Sequence, residues 1–219
     1  MHFPPLDLLI KEREEYKCTG VDVPPKTTFT KNDVIQAAMS IVTEQGLDAL
    51  SIRKTAEKLG SSQAPVYSCF KSKYELEMEM RRKIKNLLMT RYTSKQYTES
   101  YPLNMAIGFV LFARDYSQLF KSLFLKRTDF KTIFMELFRY HIAGMEKDKR
   151  FFHMSVKERK KLLSHLWIFT YGFATLANTG LVKKSDAYVI QTLREVGSVI
   201  VEAAIAKGSK SAKHVSGDA

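Results

Sequence analysis

The chain has 219 residues, 45% of them hydrophobic, which is enough apolar material for one large or two small cores and argues against disorder over most of its length. Its 35 basic residues outweigh 23 acidic ones to give a net charge of +12, which favours polyanionic partners, nucleic acid first and an anionic membrane face second. No apolar run is long enough for a membrane span, and no secretory signal pattern opens the sequence, so a cytoplasmic protein is expected.

Cys18 and Cys69 form no CxxC pair, and the five histidines never fall at metal-binding spacing. Reduced thiols, no disulfide framework, no metal and no other cofactor are therefore expected.

Residues 1 to 28, with Pro4-Pro5 and Pro24-Pro25, read as a flexible N-terminal arm. Val23 to Thr30 resembles a natural beginning, so residues 1 to 22 are either an ordinary arm or a dispensable extension. Thr30 stands three residues before Asp33, with Phe29 and Val34 flanking. That arrangement predicts a capped helix from Lys31 to Gln45, ending at Gly46.

Two short helices follow. The first starts near Ser51 and closes at Gly60. The second runs from Ser62, as its cap, to Cys69, with Pro65 as its third residue, where a missing amide has no helical partner. Ser72-x-x-Glu75 starts a long fourth helix, and Pro102 breaks the chain ahead of the next periodic segment. Periodic segments cover 103–119, 128–147, 156–178 and 186–206, the third opened by Ser155-x-x-Glu158. Residues 207 to 219 read as a disordered basic tail.

The expected fold is all-α with about nine helices. A three-helix domain at 29–75 leads through the long fourth helix into a helical bundle at 76–206.

A helix-turn-helix needs a small residue where its helices cross, a turn residue tolerant of positive φ, and an apolar residue pinning the second helix to the first. Ala56, Gly60 and Val66 supply these in order. With Ile35-Gln-Ala-Ala-Met39, Gly46-x-x-Ala-Leu-Ser-Ile-Arg53, Ala56-Glu-Lys-Leu-Gly60, Ser62, Val66-Tyr67, Phe70 and Ser72-Lys73-x-Glu-Leu76, the stretch from about 28 to 80 resembles the TetR/AcrR family of bacterial transcriptional repressors. Beyond residue 80 the resemblance rests on helix count and on Leu166 to Leu176, similar to a Trp-containing segment of some members' regulatory domains.

Three positions depart from the family pattern. Ser61 replaces a buried apolar residue, which implies a looser turn. Ala64-Pro65 replaces Gly followed by Ser or Thr, and Cys69, read here as a small buried hydrophobe, replaces an aromatic or histidine.

The resemblance implies a dimer on a palindromic DNA operator, with repression relieved by a small molecule. In such a helix-turn-helix, Gln63, Pro65 and Ser68 face base edges, Gln63 being able to pair bidentately with adenine. Tyr67, Lys71, Lys73, Thr30 and the Ser51 cap hold phosphates, Arg53 can serve either role, and the cap Ser62 is counted among the DNA-binding residues.

The segment 156–178 is apolar on two faces, one of them Leu162, Leu166, Phe169, Phe173 and Leu176. The final helix repeats this with Val189, Leu193, Val196 and Ile200, and these two stripes are the expected twofold interface. Phe109, Phe112, Phe134, Phe138, Trp167 and Tyr171 are the expected pocket for an apolar or aromatic ligand.

Two other classes compete with this reading. One is a basic helical protein binding a membrane or protein partner. The other is a helical enzyme, for which no catalytic constellation can be assembled.

Overall fold

The computed structural model describes residues 29–126, 130–182 and 185–215, with the backbone alone for 130–133 and 208–215. The arm at 1–28 and the last four residues lie outside the described residues. Among the described residues the chain is all-α, with nine α-helices and no strand. No described helix is long and apolar enough to cross a membrane. Contacts divide the chain into two units. Of the described residues, one unit comprises those up to Leu87 together with 118–126, and the other holds 88–117 and those after 126.

In the first unit, α1 (Lys31–Gln45) begins with the expected reciprocal cap. Thr30 Oγ1 accepts from the Asp33 amide at 3.2 Å, and Asp33 Oδ2 accepts from the Thr30 amide at 2.8 Å. Gly46, at φ 84, ends it. α2 (Ile52–Leu59) and α3 (Ala64–Cys69) follow, then α4 (Lys73–Leu87). Ser72 Oγ accepts from the Glu75 amide at 3.1 Å, while the Glu75 carboxylate reaches back to the Lys71 amide.

This unit also takes in most of α6 (Ser117–Phe124). Ser122 Oγ accepts from the Leu47 amide at 3.0 Å, and Lys126 pairs with Asp48. The sequence divides the chain after residue 75, whereas these contacts divide it after Leu87.

In the second unit a π-helical segment, Leu88–Thr93, precedes α5 (Tyr101–Asp115). The two pass so closely that a Cβ on Gly108 would lie 2.1 Å from the Tyr92 carbonyl oxygen, so only glycine fits there. Pro102 sits in the first turn of α5 rather than before it, where its missing amide costs nothing. The periodic stretch 103–119 is broken at Tyr116, whose ψ of 61° ends α5; α6 begins at the next residue. No proline or glycine marks that break, and Leu119 and Phe120 carry the apolar period across it.

α7 (Phe130–Met145) and α8 (Val156–Asn178) follow, α8 opening on the Ser155–Glu158 capping box. Asn178 Nδ2 closes α8 by donating to the Ala113 and Ser117 carbonyls at 2.9 and 3.1 Å. α9 (Asp186–Val215) continues through the residues read as tail from 207, since alanine and lysine extend an existing helix at little cost.

Candidate nucleic-acid interface

The site is built on one corner. α2 ends at Gly60 with φ 67 and ψ 34, the left-handed conformation that glycine adopts without strain. The Ser61 amide bonds the Ala56 carbonyl at 3.0 Å and the Gly60 amide bonds the Glu57 carbonyl at 3.1 Å, which satisfies the helix end while reversing the chain. Ser61 is half-buried, and its hydroxyl donates to the Ser62 carbonyl at 3.0 Å.

Gln63, not Ser62, occupies the cap position of α3, and it makes no side-chain cap bond. A cap at Ser62 would make Pro65 the third helical residue, where it offers no amide to accept. α3 is held from beneath: Val66, Phe70 and, across the crossing, Ala56 are all buried. The Lys31 ammonium lies 5.1 Å above the Phe70 ring, tying the base of α3 to α1.

With Val66 and Phe70 inward, the helical period turns Gln63, Ala64, Tyr67 and Ser68 outward. All four are exposed, Tyr67 by 51%. Thr30, Arg53, Ser62, Lys71 and Lys73 are also exposed, and Ser51 and Pro65 half-buried, so every expected DNA-facing residue reaches the surface of this unit.

Several are already tuned by their neighbours. Ser51 Oγ caps α2 through the Lys54 amide at 3.1 Å, leaving Ser51 set at a helix N-terminus. The Ser68 hydroxyl donates to the Pro65 carbonyl at 2.8 Å, which leaves its oxygen as an acceptor. Arg53 pairs with Glu57 at 2.6 Å across one exposed turn, worth only about 0.3–0.5 kcal/mol, so the pair holds the guanidinium weakly. Among the described residues Lys71 and Lys73 form no ion pair.

Two further residues belong to the same exposed surface: Ala64 at the head of α3, and Tyr74, 72% exposed in the first turn of α4. Counting the period of α3 back from Tyr67 would have found Ala64; nothing in the sequence distinguishes Tyr74. Cys69 is half-buried and is not the expected free thiol, because it is disulfide-bonded, and Cys18 lies outside the described residues.

Residues 34–79, the three-helix domain and the start of α4, match the family described as bacterial regulatory proteins, tetR family. This segment is of the tetR type, a family of DNA-binding transcription regulators, with α2 and α3 as its helix-turn-helix. A transcriptional regulator from Rhodococcus sp. Rha1, known from a crystal structure, is similar in fold, with a TM-score of 0.58 over 79% of this chain and 96% of that one at 15% identity. No curated protein matches the chain.

The other expected sites fall in the second unit. Leu162, Leu166, Phe173, Val189 and Leu193 are buried within this protomer, and Phe169 and Ile200 are half-buried. Of the stripes expected to meet a second copy, only Leu176 and Val196 are exposed. Leu163, Trp167 and Ala174, on the other apolar face of α8, are buried too, so both faces pack within the protomer. The outward faces carry Ile168, 72% exposed, on α8 and Val199, 65% exposed, on α9.

The expected pocket aromatics pack ring against ring. Phe109 lies 4.9 Å from Trp167 and 6.4 Å from Tyr171, and Phe134 lies 5.2 Å from Trp167 and 5.5 Å from Phe138. Phe112 instead meets Tyr92 and Tyr116. None of the six lines the cleft of about 520 Å³ found in the same unit.

Proposed function

We propose that the protein is a dimeric, sequence-specific regulator that represses transcription from a palindromic operator and is released by a small, mainly apolar molecule. The observation that carries this reading is α3 itself: Val66 and Phe70 anchor it while Gln63, Tyr67 and Ser68 project from it. A helix so presented fits the major groove. Gln63 then pairs with adenine, Pro65 and Ser68 touch neighbouring base edges, and Tyr67, Lys71 and Lys73 hold phosphates on either side. The cap residues Thr30 and Ser51 add contacts at helix N-termini, where the backbone dipole favours anions, and Ser62 adds one just ahead of α3.

A second copy supplies the second α3. The exposed faces around Ile168 and Leu176 on α8 and around Val196 and Val199 on α9 support a twofold four-helix contact, since each leaves apolar area in water that a copy of itself covers.

The test is a gel shift with the duplex lying upstream of the protein's own gene, accompanied by sedimentation of the free protein. The reading expects a dimer and a sequence-selective shift that weakens steeply with salt. A monomer, or no shift even at low salt, sinks it.

A further inference from the structure

We propose that the helical unit binds an elongated, uncharged apolar molecule carrying one hydroxyl or carbonyl group, in a cleft between the start of α5, α8 and α9. The cleft has a volume of about 520 Å³, within the range of small-molecule sites, and lies apart from the aromatic core. Its regulatory consequence rests on the effector reading above; the binding site does not.

Shape comes first. α9 contributes Leu193, Gly197, Val201 and Ile205, one residue per helical turn. At 1.5 Å per residue this wall runs for about 18 Å, so the cleft is a trough suited to a chain rather than to a compact ring system. Leu166 and Phe169 of α8 line the same trough.

Gly197 gives that wall its depth. It is helical, its φ is not positive, and a Cβ built on it meets no atom within 4 Å. Glycine inside a helix costs stability, and no backbone need explains it here. Its effect is to leave open space facing the trough.

Chemistry comes from Thr170. It lines the cleft, is only 2% exposed, and among the described residues its hydroxyl has no hydrogen-bond partner. Other hydroxyls on α8 do not behave this way. Ser164 donates to the Lys160 carbonyl at 2.9 Å, and Thr175 donates to the Tyr171 carbonyl at 2.9 Å. Thr170 forgoes that back-bond, so its hydroxyl remains able to donate to or accept from a guest.

Charge is confined and balanced. Arg150 is held by both oxygens of Asp148 and by Ser100 Oγ at 2.8 Å. Arg194 faces the cleft together with Glu99 and Glu202, so two cationic and two anionic side chains select no ionic head group.

The test titrates the full-length protein with lauryl alcohol, dodecane, laurate and dodecyltrimethylammonium below their aggregation limits, following bound ligand by equilibrium dialysis. Saturable binding is expected for lauryl alcohol, with both ions weaker. Thr170→Val weakens the alcohol about tenfold and leaves dodecane unchanged. Gly197→Leu, which fills the trough and raises helix propensity, abolishes binding of both, while circular dichroism matches the wild type.

No saturable binding, undiminished binding to Gly197→Leu, or a preference for either ion overturns the proposal. Release of the upstream duplex is measured in parallel. Binding without release leaves the cleft standing and removes the effector reading alone.

Discussion

Replacing Gly60 by alanine tests the corner on which the DNA-binding unit depends. Nothing lies within 4 Å of a Cβ added there, so the substitution creates no clash and its whole effect is conformational. Holding a non-glycine residue at φ 67 and ψ 34 costs about 1–2 kcal/mol. The unfolded chain loses freedom at the same time, which offsets about 0.4–1 kcal/mol, leaving a net loss near 1 kcal/mol.

Gly60→Asn should recover most of it, because asparagine tolerates the left-handed region. Gly46→Ala gives the contrast. Its φ of 84 and ψ of 169 lie where only glycine is comfortable, and the new Cβ would sit 3.0 Å from Ser122 Oγ, which already accepts the Leu47 amide. That loss should exceed the Gly60 loss by at least about 1 kcal/mol. The assay is urea denaturation followed by circular dichroism. An alanine at Gly60 that leaves the midpoint unchanged or raises it, or an asparagine no better than alanine, would refute the left-handed corner.

Gly108→Ala drives a Cβ into the Tyr92 carbonyl and should cost about 3 kcal/mol or more, read as a fall in melting temperature; a neutral result would mean that α5 and the π-helical segment are not in close contact. His141 is buried on α7, its Nδ1 3.2 Å from the Tyr101 hydroxyl and its Nε2 without a partner among the described residues, and burial draws its pKa from 6.5 down to about 3. The unfolded chain therefore binds the extra proton below pH 6.5, so the stability is fully present above that pH and declines toward pH 3. About 2 kcal/mol should be lost between pH 7 and 5. His141→Gln should flatten that slope in denaturation at the two pH values, and an unchanged slope rules the imidazole out. Ile168→Glu places a charge on the exposed face of α8 and should shift the sedimenting species from dimer to monomer without lowering the melting point of the monomer. A dimer that persists puts the interface elsewhere.

Capped helices were the most legible part of the chain. α1 and α8 begin and end where Thr30, Ser155 and the residues after Gln45 and Asn178 mark them, because a cap is a local hydrogen bond that the sequence states outright. The outward face of α3 was equally readable, since Val66 and Phe70 fix which way a six-residue helix turns. The start of α6 was hidden because the break at Tyr116 is a tertiary effect, with Asn178 bonding the carbonyls on either side of it.

Which residues of α8 and α9 the protomer buries is not legible in the sequence, for a related reason. Periodicity says that a helix is apolar on two faces, but which face turns inward depends on what packs there, and Leu162, Leu166 and Phe173 go in while Ile168 stays out. The cleft was invisible for the same reason: Thr170 and Gly197 meet only through the packing of α8 and α9.

In the proposed function α3 reads base edges while the lysines beside it hold phosphates. Fluorescence anisotropy with the upstream duplex and a scrambled duplex, for wild type, Gln63→Ala and Lys73→Ala across a salt series, separates the two roles. Gln63→Ala should lose about 1–3 kcal/mol on the upstream duplex alone, keeping the salt slope. Lys73→Ala should weaken both duplexes alike and lower the slope by about one. Equal losses on both duplexes for Gln63→Ala, or no loss at all, would contradict the assignment of α3 as the reading helix.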